Sequence, residues 1–406
     1  MKPLVVILAG GIGKTFSPLK INKTLLPIFG KPILQHVIEM VETADFHEAL
    51  IVTNPENELW LSTYQPFNIT LQTIVANPRG MGDALLQARE SIGSRPILII
   101  NAVDMVEPSF LKTLMKPIQN SYGFITGLKI KRNISAGYIK ENNGKAIGIV
   151  EKPTPGNEPS DMVNLIFHYF SEPEDLFTIM NKIPTSDDQY EKALTELMAQ
   201  RTIDIVPYNG SWSKLKYPHH VLDMMNLFLK MNKVNSVARS AIVSPHAVLD
   251  GFIIIDENAR IDAGAIIRGP AYIGKNVKIG SHTLIRQSVI EEGSIIGFGS
   301  EVARSYIGPR SKLHHNFVGD SVFESDINPS WGTTFANWRI DGNNPRLLLP
   351  NCSIETDGKK LGSIIAKNVF FGVNCAVMPG VTIGAGAKIY PHKVIAVAVC
   401  ENEVVK

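Results

Sequence analysis

A glycine-rich loop near the start of the chain has residue types that could hold phosphate. The apolar run Leu4-Val5-Val6-Ile7-Leu8 predicts a buried strand, and Gly10, Gly11, Gly13 and Lys14 follow it directly. Glycines let backbone N–H groups approach an anion closely, and a following helix N-terminus adds positive potential. The spacing fits neither the Walker motif nor the dinucleotide fingerprint. Alone, the loop fits a phosphate site and an ordinary strand-to-helix connection equally well.

The residues after the loop extend it into a longer pattern. Lys23, Leu25-Leu26-Pro27 and Gly30-Lys31-Pro32 come next. Together with the loop, they resemble the opening signature of the sugar-1-phosphate nucleotidylyltransferases. The resemblance implies that Lys23 is the catalytic lysine that holds phosphate. The chain departs from the signature at Lys14-Thr15, where the family has Thr-Arg.

The same resemblance implies which residues contact the ligands. The nucleotide-binding residues would be Leu8, Gly10, Gly11, Gly13, Lys14 and Gly82. The sugar-binding residues would be Gly137, Glu151, Lys152 and Asn164. The match around Gly82 is loose, whereas Glu151-Lys152-Pro153 and Asn164 match the sugar-contacting positions of the family well.

Three positions that support metal-dependent transfer in the family carry other residues here. Val103 and Lys214 stand at the positions of two metal-binding aspartates, and Thr15 stands at that of a phosphate-bracing arginine. Threonine cannot brace phosphates, and a lysine supplies charge without the geometry of a metal. We therefore assign no metal ligand, and a role for Mg²⁺ is doubtful. The alternative is that Asp104 and Lys214 reach the site by small backbone shifts and that catalysis survives.

Two different periodicities indicate which elements position these residues. Up to about residue 228, apolar runs such as residues 49–53, 73–75 and 96–100 alternate with helical patterns at residues 33–42 and 81–92. This predicts an α/β, Rossmann-like nucleotidylyltransferase domain over residues 1–228, in which the glycine loop lies at the carboxyl end of a strand.

Residues 229–406 carry a six-residue repeat, which predicts a parallel β-helix. One phase is Ile255, Ile261, Ile267, Ile273, Ile279 and Ile285, and a second is Ile365, Phe371, Val377, Ile383, Ile389 and Ile395. The repeat lapses between about residues 325 and 364. It resembles the left-handed hexapeptide β-helix of acyltransferases, which implies a homotrimer with active sites between subunits. We expect Tyr272, Val277 and Leu284 to face outward and to favour burial against symmetric copies.

The combination resembles the two-domain nucleotidylyltransferase/acetyltransferase proteins that make UDP-N-acetylglucosamine, particularly the archaeal type, over essentially the whole chain. The resemblance implies that His314 is the catalytic base of acetyl transfer and that Arg286, Asn328 and Asn337 bind the acyl acceptor. Acetyl-CoA would be the acetyl donor. Phe317 replaces a family tyrosine, so we expect lowered rather than abolished activity. The neighbouring His315 is not expected to take part in catalysis. The alternative for His314 is a structural histidine of the β-helix that has no catalytic role.

Composition narrows the class of partner. In 406 residues the net charge is +2 and the basic residues are scattered, so neither nucleic acid nor a membrane surface is an expected partner. No apolar run approaches the roughly 20 residues of a membrane span. The three cysteines, Cys352, Cys375 and Cys400, lie far apart, which argues against disulfides and zinc. A cytoplasmic location is the default expectation.

The leading prediction is a transferase of the nucleotide-sugar pathway. Its C-terminal domain would transfer an acetyl group to an amino-sugar 1-phosphate, and its N-terminal domain would bind nucleotide and sugar 1-phosphate with weak or lost nucleotidylyl transfer. One alternative is an active nucleotidylyltransferase with altered ligands. The other is a non-catalytic regulatory subunit of an active paralogue.

Overall fold

The computed structural model describes residues 2–131 and 134–406, which form two compact units. One unit contains residues 2–12 and Ile33–Trp212, and the other contains Gly13–Pro32 and Ser213–Lys406. Each unit is therefore built from two separate stretches of chain. The domain division between residues 228 and 229, which the change of period suggests, stays a prediction.

A nine-stranded sheet forms the centre of the first unit. From one edge to the other it runs through Thr70–Val75, Glu48–Thr53, Leu4–Leu8, Ile97–Asn101, Met162–Phe170, Gly123–Lys129, Ile203–Tyr208, Lys145–Glu151 and Gly137–Asn142. The first four strands are parallel, and Met162–Phe170 is antiparallel to its neighbour Ile97–Asn101. The predicted α/β domain is confirmed, with a mixed rather than a parallel second half of the sheet.

Helices complete the first unit. They are Ile33–Thr43, Pro55–Leu61, Met81–Ile92, Ser109–Thr113, Met115–Asn120, Pro173–Met180 and Gln189–Gln200. The two helices expected from apolar spacing are confirmed, and both bury one face in the core. Asn54 shows how a helix starts here, because its side-chain oxygen accepts the N–H of Asn57 at 3.0 Å. The short strand Asp104–Val106 follows the central strand Ile97–Asn101.

The second unit is a three-faced parallel β-helix. The first face contains Ser236–Val237, Ile253–Ile255, Ala271–Ile273, Val289–Ile290, Tyr306–Ile307, Val322–Phe323, Ile364–Ile365 and Thr382–Ile383. The second face contains Ile242–Val243, Arg260–Ile261, Lys278–Ile279, Ile295–Ile296, Lys312–Leu313, Asn328–Pro329, Phe370–Phe371, Lys388–Ile389 and Val404–Val405. The third face contains Val248–Asp250, Ile266–Arg268, Leu284–Arg286, Glu301–Ala303, Phe317–Gly319, Thr334–Phe335, Ala376–Val377 and Val394–Ile395.

The core of this β-helix is the column of aliphatic side chains that the repeat predicts. Both phases, from Ile255 to Ile285 and from Ile365 to Ile395, are buried in one hydrophobic cluster. Corners between faces take left-handed backbone conformations, as at Asn276 with φ 58° and Gly293 with φ 68°. The left-handed β-helix fold class expected from the six-residue spacing is therefore confirmed.

The prediction that Val277 faces outward is wrong, whereas Tyr272 faces out of the coil but is covered by Phe29. Val277 is 0% exposed, because its side chain turns inward into the central cluster just before the next strand. Tyr272 is 2% exposed, because the ring of Phe29 stacks on it with centroids 4.7 Å apart. Leu284 is half-buried. The argument for a trimer from these three residues therefore fails for two of them.

Besides its coils, the second unit contains three smaller parts. The 13–32 segment contains the one-turn helices Lys14–Phe16 and Lys23–Leu25 and the paired strands Pro27–Ile28 and Lys31–Pro32. The strand Trp212–Lys214, at the boundary between the units, precedes the helix His220–Met231. An antiparallel hairpin, Arg346–Leu349 with Cys352–Glu355, interrupts the coils where the repeat lapses. Among the described residues, no helix is long and apolar enough to cross a membrane.

Candidate active sites

The glycine loop begins where the central strand of the first unit ends. Asn57 Nδ2 donates to the carbonyl of Ala9 at 2.7 Å and so fixes this end of the strand. A side chain at Gly10 would lie 2.8 Å from Cγ of Pro78, so packing alone requires a glycine there. At Gly11 an added side chain would meet no atom of the described residues within 4 Å. The space next to the backbone of Gly11, just after the end of the strand, is therefore open.

The buried side chain of Gln189 leaves no room for a side chain at Gly82. Gly82 lies in the first turn of the helix Met81–Ile92, and a side chain there would come within 2.8 Å of Oε1 of Gln189. Gln189 is itself buried and donates to the carbonyls of Met180 and Ile183 at 3.0 Å. Close packing of two helices therefore explains this glycine, independently of any nucleotide.

The four expected sugar-binding residues form one group. Gly137 pairs across the sheet with Glu151, and a side chain at Gly137 would lie 2.8 Å from Glu151 Oε2 and 3.9 Å from Asn164 Cβ. Lys152 Nζ lies 3.2 Å from Glu151 Oε1 and 3.6 Å from Asp187 Oδ2. Burial lowers the pKa of Lys152, but these two carboxylates outweigh it and hold the pKa above its ordinary value. The group combines a cation, a carboxylate and an amide around a glycine gap.

Sequence analysis missed the residues that orient Asn164. His168 Nε2 lies 2.9 Å from Asn164 Oδ1, and His168 Nδ1 lies 2.8 Å from the hydroxyl of Tyr190. Burial lowers the pKa of His168 to about 3, so the imidazole is neutral. Because an amide oxygen only accepts, Nε2 donates to it and Nδ1 accepts from Tyr190. The amide nitrogen of Asn164 is thereby turned away from His168.

A buried carboxyl, Glu191, also escaped prediction. Burial raises its pKa to about 7, and the charges of Glu151 and Asp187 act in the same direction. Its Oε2 has no hydrogen-bond partner among the described residues. Glu191 therefore exchanges its proton near neutral pH beside the sugar-binding group.

At the expected metal position of the first unit, the carboxylate next to Val103 is that of Asp104. Asp104, the residue after Val103, is buried, and its Oδ1 accepts from the indole Nε1 of Trp212 at 3.1 Å. Within residues 2–131 and 134–406, no group of three histidine, cysteine, aspartate or glutamate side chains could hold a metal ion.

In the second unit, Lys23 belongs to a small polar network. Its Nζ donates to the carbonyl of Lys216 at 2.9 Å and lies 3.2 Å from Thr15 Oγ1, which donates to the same carbonyl at 2.7 Å. Burial, with a smaller effect of the Lys216 charge, lowers the pKa of Lys23 to about 8. Thr15, which stands where the family has arginine, thus helps to hold Lys23. Gly13 (φ 69°) precedes this network, and Lys14 is exposed.

Three lysines of this unit lie close enough to one imidazole to lower its pKa. Burial, together with the smaller effects of the charges of His219, Lys214, Lys216 and Lys23, lowers the pKa of His220 to about 3. His220 Nδ1 accepts the N–H of Lys216 at 3.2 Å, which ties the histidine to the chain that carries these lysines. Lys214, Lys216 and Lys23, here called the lysine cluster, concentrate positive charge that suits an anion.

Two of the expected acyl-acceptor residues lie along one edge of the third face. Strand pairing stacks Arg286 on Ala303 and Ala303 on Gly319. Next to this column, Arg304 forms a two-pronged ion pair with Asp320, at 2.8 and 2.7 Å, and Asn337 Nδ2 donates to the same carboxylate. Arg286 pairs with Glu301. A cavity of about 450 Å³ adjoins this edge and is lined by Asn226, Leu229, Lys230, Asn232, Lys233, Phe252, Pro270, Gln287 and Arg304.

The other two expected residues lie elsewhere on the coil. His314 follows the second-face strand Lys312–Leu313 and is exposed at the opposite edge of the third face from Arg286. Its neighbour His315 stacks on Trp331 at 5.4 Å and donates from Nδ1 to the carbonyl of Phe298 at 3.0 Å. Asn328 is on the second face, and its buried Oδ1 has no partner in the described part of the chain. One chain therefore places Arg286 and Asn337 along one edge of the third face, three coils apart, and separates them from His314 and Asn328.

Comparison with known proteins matches both units. Residues 4–214 match the nucleotidyl transferase family, and residues 249–340 match the GMPPB C-terminal domain family. The bifunctional sugar-1-phosphate nucleotidylyltransferase/acetyltransferase of Sulfurisphaera tokodaii is 29% identical over 403 residues, covering 96% of this chain and 96% of the relative. The bifunctional protein GlmU of Methanococcus vannielii is 32% identical over 398 residues, covering 95% of this chain and 92% of the relative.

A solved structure supports the fold of more than half of the chain. UDP-glucose pyrophosphorylase complexed with UDP-glucose superposes with a TM-score of 0.51 at 20% identity, covering 57% of this chain and 99% of that chain. This likeness concerns fold alone. From the family match and the relatives aligned over nearly its whole length, the chain belongs to the nucleotidyl transferase family, among the bifunctional sugar-1-phosphate nucleotidylyltransferase/acetyltransferases.

Proposed function

We propose that the β-helix transfers an acetyl group from acetyl-CoA to the amine of an amino-sugar 1-phosphate. The observation that carries the proposal is the edge of Arg286, Arg304 and Asn337, where guanidinium and amide groups held by the carboxylates of Glu301 and Asp320 adjoin a cavity with two lysines. Such groups suit a phosphate and sugar hydroxyls. The acetyltransferase activity in the name of the Sulfurisphaera tokodaii relative supports the same reaction.

In this reaction His314 is the base. The amine nitrogen attacks the thioester carbonyl, a C–N bond forms, and His314 accepts the proton that the nitrogen loses. The C–S bond then breaks, and CoA leaves as a thiolate that takes up a proton. Because one chain separates His314 and Asn328 from Arg286 and Asn337, we propose a homotrimer in which a neighbouring copy completes each site.

For the nucleotidylyl half, we propose binding of nucleotide and sugar 1-phosphate with weak or lost transfer. The lysine cluster would neutralise phosphates, and Lys23 would contact them directly, as the family resemblance suggests. A lysine offers neither the coordination geometry nor the Lewis acidity of a metal, so binding is favoured over turnover. The second candidate is an active nucleotidylyltransferase with altered ligands, in which Asp104 and Lys214 reach the site, and the bifunctional names of the relatives favour it.

Parallel assays of the two half-reactions test the proposal. With acetyl-CoA and glucosamine 1-phosphate, the full chain should release CoA thiol. With UTP and N-acetylglucosamine 1-phosphate, it should release pyrophosphate slowly or not at all, and Mg²⁺ should change neither that rate nor the affinity for UTP by tenfold. Fast, Mg²⁺-dependent pyrophosphate release would reverse the order of the two candidates, and the absence of both activities would favour a regulatory subunit.

A further inference from the structure

Two buried carboxyls on the first face of the β-helix have no part in the chemistry proposed above. Glu291 is 0% exposed and Glu324 is 4% exposed. Both directly follow a first-face strand, and strand pairing places them in one column, in the order Gly274, Glu291, Gly308, Glu324. Buried carboxyls are costly unless they are hydrogen-bonded, so their partners indicate what they do.

The partners of Glu324 lie in the 13–32 segment. Its Oε1 accepts the backbone N–H of Lys20 at 2.9 Å and that of Ile21 at 2.7 Å. Its Oε2 accepts the N–H of Lys367 at 2.8 Å, from a neighbouring coil of the β-helix. Glu324 therefore ties the chain just before Lys23 to the rigid coils.

Glu291 holds the other end of the same segment. Its Oε2 accepts the N–H of Gly30 at 3.0 Å, and the N–H of Phe29 also interacts with this carboxyl. Phe29 has a left-handed backbone (φ 54°) and stacks on Tyr272. Glu291 thus holds the chain at Gly30, seven residues after Lys23, and Glu324 holds it at Ile21, two residues before Lys23.

Two tyrosines on the same face add to these contacts. The hydroxyl of Tyr306 donates to the carbonyl of Pro27 at 2.9 Å. Tyr272 lies so close that a side chain at Gly30 would come within 2.9 Å of its hydroxyl. Tyrosine and glutamate thus alternate over successive coils, and each contacts the backbone or a ring of the 13–32 segment.

We propose that Glu291 and Glu324 are positioning residues for Lys23: the β-helix, through these two carboxyls, sets the place of the phosphate-binding lysine of the nucleotidylyl half. The phosphate-binding role of Lys23 rests on the proposed function, whereas the anchoring of its segment does not. The nucleotidylyl half consequently depends on an intact β-helix.

The test measures Lys23 itself, in the ligand-free full chain. The rate at which acetic anhydride labels Lys23, followed by mass spectrometry against pH, reports the pKa of its amine. In the wild type the midpoint should lie near 8. In Glu324→Ala and Glu291→Ala it should move toward 10.5, the ordinary lysine value, because a released segment exposes the amine to water. Amide hydrogen exchange at Ile21 and Gly30 should become at least tenfold faster.

Matched variants keep the test decisive. Glu292→Ala removes the exposed neighbour of Glu291 and should leave both readouts unchanged. Glu324→Gln and Glu291→Gln keep one acceptor oxygen each and should preserve most of the shift even if the alanine variants fold poorly. An unchanged Lys23 midpoint together with protected amides in folded Glu324→Ala and Glu291→Ala would overturn the proposal. A wild-type chain that binds neither UTP nor N-acetylglucosamine 1-phosphate would overturn the role of Lys23 in phosphate binding and leave both readouts intact.

Discussion

At the scale of single residues, the orientation of Asn164 depends on a histidine that touches no expected ligand. His168→Leu removes the donor to Asn164 Oδ1 and leaves the amide free to rotate. We expect UDP-N-acetylglucosamine to bind about tenfold more weakly, which corresponds to about 1.4 kcal/mol, the scale of one hydrogen bond. Calorimetry on the full chain measures this. Tyr190→Phe, which keeps the bond to Asn164, should lose less, and equal affinities of wild type and His168→Leu would contradict the assigned role.

Glu291 gives the chain a definite pH dependence. Burial raises its pKa from 4.5 to about 8, the nearby charges of Asp256 and Glu292 raise it too, and two backbone N–H groups oppose the shift. The folded state thus keeps a proton that the unfolded state loses above about pH 4.5. The contribution of Glu291 to the free energy of unfolding is fully present below about pH 4.5 and is lost as the pH rises to about 8. Urea unfolding at several pH values should show this decline in the wild type and a flatter profile in Glu291→Gln. Identical profiles would contradict the raised pKa.

Residue roles could be read from the sequence only where a motif names them. The group of Gly137, Glu151, Lys152 and Asn164 was expected to act together, and the fold brings these four into contact. Gly82 was matched to a nucleotide contact, but its neighbour Gln189 comes from a helix more than a hundred residues away, which no local pattern indicates. His168 and Glu291 were missed for the same reason, since long-range burial defines their roles.

At the scale of elements, the six-residue repeat predicts which side chains point inward but not those at the corners. Val277 tests the packing at the corners, because its side chain was predicted to face outward but lies in the core. Val277→Asp should lower the free energy of unfolding by about 3 kcal/mol or more, since it buries a carboxylate among apolar side chains. Leu284→Asp, at a half-buried position, should cost about 1 kcal/mol. Chemical denaturation of both variants decides it, and equal losses would contradict the corner geometry.

The sheet and the coils could be predicted because their sequence patterns have different periods and each pattern extends over many residues. Strands and helices such as Glu48–Thr53 and Met81–Ile92 appear close to their expected positions. The antiparallel pairing of Met162–Phe170 was not predicted, since a continuous apolar run does not reveal strand direction. The 13–32 segment was assigned to the first domain by sequence order, whereas its contacts place it in the second compact unit.

At the scale of the whole molecule, we propose that a second copy of the chain completes the acyltransfer site. Light scattering of the purified protein should give three times the mass of one chain. A trimer is expected because Arg286 and Asn337 lie at one edge of the third face, whereas His314 lies at its opposite edge and Asn328 lies on the second face, so that neighbouring copies would bring the two groups together. A monodisperse monomer that still transfers acetyl groups would contradict the shared site.

The most direct test of the account is acetyl transfer by two histidine variants. In wild type, acetyl-CoA and glucosamine 1-phosphate should yield free CoA thiol. His314→Ala should lower kcat about a hundredfold or more, since it removes the base, and should still bind the sugar phosphate through Arg286. His315→Ala should keep most of the rate, because His315 is held in the stack with Trp331. Full activity of His314→Ala, or no transfer by the wild type, would contradict the acetyltransferase assignment.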